Sequence, residues 1–201
     1  MASPVIDLSH HNPDPDWAAV KAAGVLGVIH KATEGAGYAD PDRRPRLAAA
    51  YRAGLLIATY HFMRPGDMAA QVAFYLKTID AAKGERVILD YEDPKIPVSD
   101  LRDAVQAIWD ARPDLQITVY SGNLIKEQLG NASDPLLAKT SLWIAQYNNS
   151  GPRWPTQVWP NWSLWQWTDS ETVPGISRPV DGNKWNGTAD SLARWLAPAQ
   201  G

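Results

Sequence analysis

The sequence predicts one α/β domain, a barrel-like set of mostly parallel strands sheathed by helices, and three observations lead there. Short apolar runs alternate with amphipathic segments along the chain, the pattern of repeated βαβ units. Nearly every apolar run ends at its C-terminal side in polar or aromatic residues, as strands do when they point toward one shared rim. The length, 201 residues, suits one domain with a self-supporting core.

The predicted strands, in order, are Val5–Ser9, Gly27–Lys31, Leu55–Phe62, Arg86–Glu92, Gln116–Ser121, Leu142–Tyr147 and Leu164–Thr168. The first helix is expected to start at Asp14-Pro15, an N-cap followed by proline at the first helical position, and to stop at Gly24. After Asp67, Val72, Tyr75, Leu76 and Ile79 fall on one helical face, and after Ser99, Leu101, Ala104, Val105 and Ile108 repeat that spacing. Residues Gly151 to Pro160 are rich in proline and tryptophan without helical period and are predicted to be irregular. A last helix, Thr188 to Ala197, is expected to pack Leu192, Trp195 and Leu196 on one side. There is no internal repeat, and one domain over 1–201 without a separate appended module is expected.

Composition excludes several function classes. The charged share of 20% and the lack of any run of about 20 apolar residues argue against membrane insertion. A net charge of −3 with no basic block lacks the footprint needed for nucleic acid. Without cysteine there is no disulfide framework and no thiolate ligand or nucleophile, so chemistry falls to carboxylates, imidazoles and hydroxyls. The start, Met-Ala-Ser-Pro, has no features of a signal peptide, so synthesis in the cytoplasm is expected, as is a monomer.

The candidate site is the set of strand-end residues: Asp7, Lys31, Glu34, Tyr60, His61, Asp90, Glu92, Tyr120, Tyr147 and Gln166. Each alone has an ordinary reading, since such residues often satisfy loop backbone. Asp90 and Glu92 are the most pointed pair. Residues i and i+2 of a strand share a face, with Cα atoms about 6.6 Å apart, so the two carboxylates enter one space and raise at least one proton affinity. That suits a general acid working near neutrality. Lys31 and Glu34 can form a mutual ion pair. Adjacent His10 and His11 on a strand would face opposite ways, and no His-Glu-x-x-His or similar spacing occurs, so no metal or other cofactor is expected. A serine nucleophile is unsupported in the absence of a Gly-x-Ser-x-Gly elbow. Six of the ten tryptophans lie between Trp143 and Trp167. Flat indole faces suit sugar rings, so a tryptophan-lined groove above the carboxylates is expected, with at least half of the tryptophans, Trp17, Trp109 and Trp195 among them, in packing roles.

These residues resemble a family, the Chalaropsis-type lysozymes of glycoside hydrolase family 25, which include many phage endolysins. The matching segments run in order through nearly the whole chain: VIDLSHHN with DWAAVKAAG, VIHKATEG, AGLLIATYHFMRPGD, VILDYED, ITVYSG, LWIAQYN, LWQWT and VDGNKWNG. The resemblance implies a flattened, irregular TIM-like β/α barrel and hydrolysis of the β-1,4 bond between N-acetylmuramic acid and N-acetylglucosamine in bacterial peptidoglycan. It implies Glu92 as general acid/base, Asp90 as its partner, and Asp7 and Asp181 as further site carboxylates. Lys31, Glu34, Tyr60, His61, Tyr120, Tyr147 and Gln166 would line the substrate site. Lacking the features of a signal peptide, such an enzyme is expected to reach the wall through a separate pore or on lysis, as phage endolysins do, with a secretion-effector route as the alternative. A chitinase-like glycosidase is the competing enzyme, weakened because position 88 of the longer acidic pattern is Ile88. An inactive glycan-binding module on the same scaffold is the competing non-enzyme.

Overall fold

The structure, a computed structural model, describes residues 2–197. The expectations for Met1 and for the end of the 1–201 domain touch Met1 and residues 198–201, which lie outside the described residues.

The chain forms β1 (Val5–Leu8), α1 (Trp17–Ala22), β2 (Gly27–Glu34), β3 (Tyr38–Ala39), α2 (Arg43–Arg52), β4 (Leu56–Phe62), α3 (Met68–Ile79), β5 (Arg86–Asp90), α4 (Val98–Ala111), β6 (Gln116–Ser121) and α5 (Asn123–Leu129). After a single 3-10 turn at Leu137–Lys139 come β7 (Ser141–Ala145), β8 (Leu164–Glu171), β9 (Val180–Trp185) and α6 (Ala189–Leu196). β1, β2, β4, β5, β6, β7 and β8 pair in parallel, and β9 closes the ring by running antiparallel between β8 and β1. The result is the expected irregular barrel, with β3 as a short flap on β2.

Strand alternation explains where the polar residues go. One inward layer is apolar: Val5, Ile29, Ala58, Ile88 and Leu164 belong to one buried cluster with Leu192 and Leu196 of α6. Two residues further along the same strands stand Asp7, Lys31, Tyr60, Asp90 and Gln166, the next inward positions toward the C-terminal rim. α6 therefore plugs the opposite mouth. Arg86 pins it there: the guanidinium donates to the Trp195 carbonyl at 2.8 Å and lies 4.2 Å from the centre of that residue's ring. On the outside, Val87, Leu89, Ile117 and Val119 pack with Leu101, Val105 and Ile108 of α4, and each aliphatic side chain so buried contributes about 1.5–3 kcal/mol before entropy is counted.

Several local expectations need correction. The N-cap of α1 is Asp16, whose carboxylate accepts from the Ala18 and Ala19 amides, because Asp14 is engaged by Arg46 instead. α2 lacks an amphipathic stripe a sequence reader would trust, with four arginines in ten residues. Its buried Arg46 ties down the turn after β1 by donating to the Ser9 and Asn12 carbonyls at 2.8 Å each. β9 carries Gly182 and Asn183 where a strand reader expects β-formers; pairing on both sides holds it in place. The irregular stretch after β7 is irregular as expected but not peripheral. Val158 and Trp159 are buried where a covering helix would otherwise stand, and the Trp159 indole donates to Thr140 Oγ1 at 3.2 Å.

Candidate active site

The C-terminal rim of the barrel opens into a cleft of about 340 Å³ that gathers Asp7, Asp90, Glu92 and Asp181 with Lys31, Glu34, Tyr60, Tyr120, Tyr147 and Gln166. β5 ends at Asp90, so Glu92 is carried by the segment beyond the strand. The alternation nevertheless persists: the Tyr91 amide donates to the Tyr120 carbonyl at 2.9 Å, and the Tyr91 side chain is buried on the other side with its hydroxyl donating to the Ile96 carbonyl. Asp90 and Glu92 thus share the cleft.

At the floor, Asp7 accepts from the Asn183 amide at 2.8 Å and from the Gln166 amide at 3.0 Å. Gln166 is oriented in turn by Tyr120 and Tyr147, whose hydroxyls both donate to its Oε1, at 2.8 and 2.9 Å. Asn183 is fixed by the Trp143 indole, which donates to its Oδ1 at 2.7 Å. Asp181 sits opposite Asp7 in the β1–β9 pairing, and both carboxyls line the same cleft. Burial raises the proton affinity of both carboxyls, and the charge of Asp7 raises that of Asp181 further.

Asp90 is 6% exposed, and its Oδ1 has no hydrogen-bond partner among the described residues. Burial, then the negative charges of Glu92 and Asp7, push it well above the usual carboxylate range. Glu92 is more open to solvent, yet desolvation and Asp7 also raise it, against the opposing pull of Lys31 and Arg64. A carboxyl raised in this way and open to the cleft can hold a proton for transfer.

One wall is ionic. Lys31 and Glu34 do pair, but an uninterrupted strand would place residues three apart on opposite faces. A register shift between Lys31 and Thr33 turns Glu34 back into the cleft. Glu34 also binds Arg64, which lies 4.7 Å from the Phe62 ring centre and reaches Asp93 at 3.3 Å. Although partial burial opposes it, hydrogen bonds from Lys31 and Arg64 hold Glu34 below its ordinary range.

His61 does not line the cleft. Tyr60 points inward, so its neighbour on β4 must point outward, and His61 lies 1% exposed against α3 with Thr33 Oγ1 2.7 Å from its Nδ1. Burial lowers its pKa to about 4. His10 and His11 are in a turn rather than on a strand, their ring centres 3.8 Å apart, and His11 joins the cleft lining. Among the described residues the tryptophan-lined groove is not found: Trp143 alone of the tryptophans borders the cleft and it is 2% exposed, so tyrosines and Phe62 supply the aromatic wall. Ser9, Phe62, Arg64 and Asn183 were not legible as site residues. Phe62 and Arg64 stood in the segment YHFMRPGD, but Asn183 lay in a strand that the sequence did not reveal.

The sequence profile of glycosyl hydrolases family 25 matches residues 6–176. Lysozyme M1 of Streptomyces globisporus is 30% identical over 210 residues, covering 96% of this chain and 70% of that protein. The autolytic lysozyme of Clostridium acetobutylicum is 30% identical over 183 residues, covering 88% of this chain and 53% of its own length. Among solved structures, the bacterial lysozyme of Streptomyces coelicolor superposes with a TM-score of 0.84 at 28% identity, over 98% of this chain and 97% of that one. The family GH25 lysozyme of Aspergillus fumigatus gives 0.81 at 26% identity, over 98% and 100%.

Proposed function

The chain belongs to glycosyl hydrolases family 25 and is a glycoside hydrolase of the lysozyme type, and from that premise we propose how its cleft cuts peptidoglycan. The glycan strand lies across the rim with the bond between N-acetylmuramic acid and N-acetylglucosamine over Asp90 and Glu92. Glu92 protonates the leaving oxygen. Asp90 receives the N–H of the 2-acetamido group, whose carbonyl oxygen attacks the anomeric carbon; water then opens the cyclic intermediate, with Glu92 as base. Asp7, held by Gln166 and Asn183, and Asp181 supply negative potential beneath the developing positive charge.

The observation that carries this reading is the pairing of a buried Asp90, one oxygen unpartnered, with a more accessible Glu92 in the same cleft. Mass analysis of fragments from digested peptidoglycan tests the bond assignment. Muramic acid at the new reducing end is expected; reducing-end glucosamine or free peptides would overturn it. We also propose an endolysin-type role, with the protein made in the cytoplasm and reaching the wall through a separate pore or on lysis. Expression in a bacterium without a partner pore then leaves cells intact until the membrane is permeabilised, whereas spontaneous lysis with the protein already in the periplasm contradicts it.

A further inference from the structure

The cleft does not end at Glu92. Glu92, Tyr120 and Tyr147, which border it, also border a second depression floored by Gly122 and Asn123, and this one shares Asn123 and Gln146 with a third of about 660 Å³ that reaches Lys126 and Arg153. The three form one groove whose charge changes sign along its length. Five carboxylates crowd the first part, whereas Lys126 and Arg153 dominate the far end, offset only in part by Glu127.

The far end is built. Gln146, the neighbour of Tyr147, accepts from Lys126 Nζ at 3.1 Å and from the Arg153 amide at 3.0 Å, while its own amide donates to the Gly151 carbonyl at 3.2 Å. One side chain therefore clasps α5, which carries Lys126, to the loop after β7, which carries Arg153, and both cations line the same depression. Asn148 stiffens that loop by accepting from the Ser150 and Gly151 amides. The Arg153 guanidinium has no hydrogen-bond or ion-pair partner among the described residues, and it sits close enough to Lys126 to disfavour that ammonium, with desolvation acting first in the same direction. Like charges held together in this way are relieved by an anion between them.

We propose that Lys126 and Arg153 form a distal subsite for a carboxylate of the substrate, one removed from the scissile bond along the groove. The proposal rests on the peptidoglycan reading above. Peptidoglycan offers that chemistry from two sources: the peptide stem, or the lactyl group of a muramic acid that carries no stem. An acidic cleft alone would repel such a strand, so a cationic end sets which way the strand lies and which substitution it carries there.

The test measures kcat and KM for the wild type, Arg153→Gln and the Lys126→Gln/Arg153→Gln double variant on three glycan preparations. One carries stems; one has them removed at the lactyl amide, leaving free carboxylates; the third has those carboxylates converted to neutral methylamides. The double variant is expected to raise KM about threefold to tenfold on a charged substrate at unchanged kcat, the signature of lost uniform binding, with Arg153→Gln intermediate. The rise should fade at high salt. Confinement to the stem-bearing glycan identifies the stem as the source, and confinement to the stem-free acid identifies the lactyl group. Unchanged KM on both, or an equal rise on all three, overturns the subsite. A wild type that cuts none of the three overturns the peptidoglycan reading instead, and unaltered turnover of the neutral glycan shows that the variants fold.

Discussion

Asp7 and Asp181 face each other across the antiparallel pairing of β1 and β9, and both carboxyls enter the same cleft. Two buried carboxylates facing one space repel, so the pair takes up a proton more readily than an exposed carboxyl does. In the unfolded chain both titrate near the ordinary range, so between that range and the raised folded values the native state binds more protons. Stability then falls as pH rises through this window. Asp181→Asn removes one of the two charges without needing the proton. At pH 8 the variant is expected to melt about 2–6 °C above the wild type, a difference of roughly 1–2 kcal/mol, and the gap should close near pH 4. Equal melting temperatures at pH 8 would show that the pair takes up no such proton.

Glu92→Gln keeps the shape of the proposed acid and removes its proton. The side chain makes no hydrogen bond that the fold depends on among the described residues, so melting temperature should hardly move. Lysis of native walls should drop about 10²–10⁴-fold. Near-normal turnover by the Gln variant would take Glu92 out of the role.

His61 contributes in the opposite pH sense from the carboxyl pair. Burial lowers its pKa from 6.5 to about 4, so below 6.5 the unfolded chain takes up a proton that the folded protein refuses. Its stabilisation is complete above pH 6.5 and is lost progressively as pH falls toward 4, by roughly 3 kcal/mol at the acid end. Gln71 links this residue to the cleft: its amide group bonds both the amide and the carbonyl of Arg64, at 2.9 and 2.7 Å, and its Oε1 lies 3.3 Å from His61 Nε2. His61→Gln should therefore flatten the fall in melting temperature between pH 7 and 4.5. An unchanged pH slope in the variant would mean that acid unfolding is governed elsewhere.

Asn183 is fully buried between Asp7 and the Trp143 indole, donating to the carboxyl and accepting from the indole N–H. Asn183→Ala strands an indole N–H and strips Asp7 of its shortest donor, which should cost about 2–4 kcal/mol and raise Asp7 further. Denaturant unfolding at constant m-value checks the first part. A loss below about 0.5 kcal/mol would mean that the two groups find other partners.

The sequence made the strand ends legible because parity is rigid: a run such as Val87-Ile88-Leu89 commits Asp90 and Glu92 to one space whatever surrounds them. The same rule, applied to Tyr60-His61, excludes one of the two from the cleft, and only the structure told which. Lys31 and Glu34 met through an irregularity in β2 that no residue type announces. β9 and Asn183 stayed hidden because their conformation is imposed by neighbours on both sides, and α2 because its arginines serve contacts rather than a hydrophobic face. The tryptophans misled for a physical reason: large indoles such as Trp159 fill the outer layer where no helix covers the sheet.

What attacks the anomeric carbon is the sharpest remaining prediction. A protein nucleophile or a water base must oppose the acid across the sugar, about 5–5.5 Å away for retention and about 6.5–9.5 Å for inversion. Asp90 and Glu92 leave one strand end toward one space and approach from the same side. Asp90 also has a buried oxygen without a partner, in surroundings that raise its proton affinity. An N–H donor, and above all the positive charge that develops on an acetamido nitrogen during attack, would stabilise its ionised form. If so, the acetamido group and Asp90 act as one unit. Replacing the muramic N-acetyl by a free amine should reduce turnover at least about 10²-fold with binding largely kept, and Asp90→Asn should do the same on the N-acetylated glycan. Combining the two should cost little more than either alone, because groups that act together are not additive. The product should keep the substrate's anomeric configuration. An inverted product, or full-rate cleavage of the free-amine glycan, would instead assign a water to the Asp7 and Asp181 side of the cleft, with one of that pair as its base.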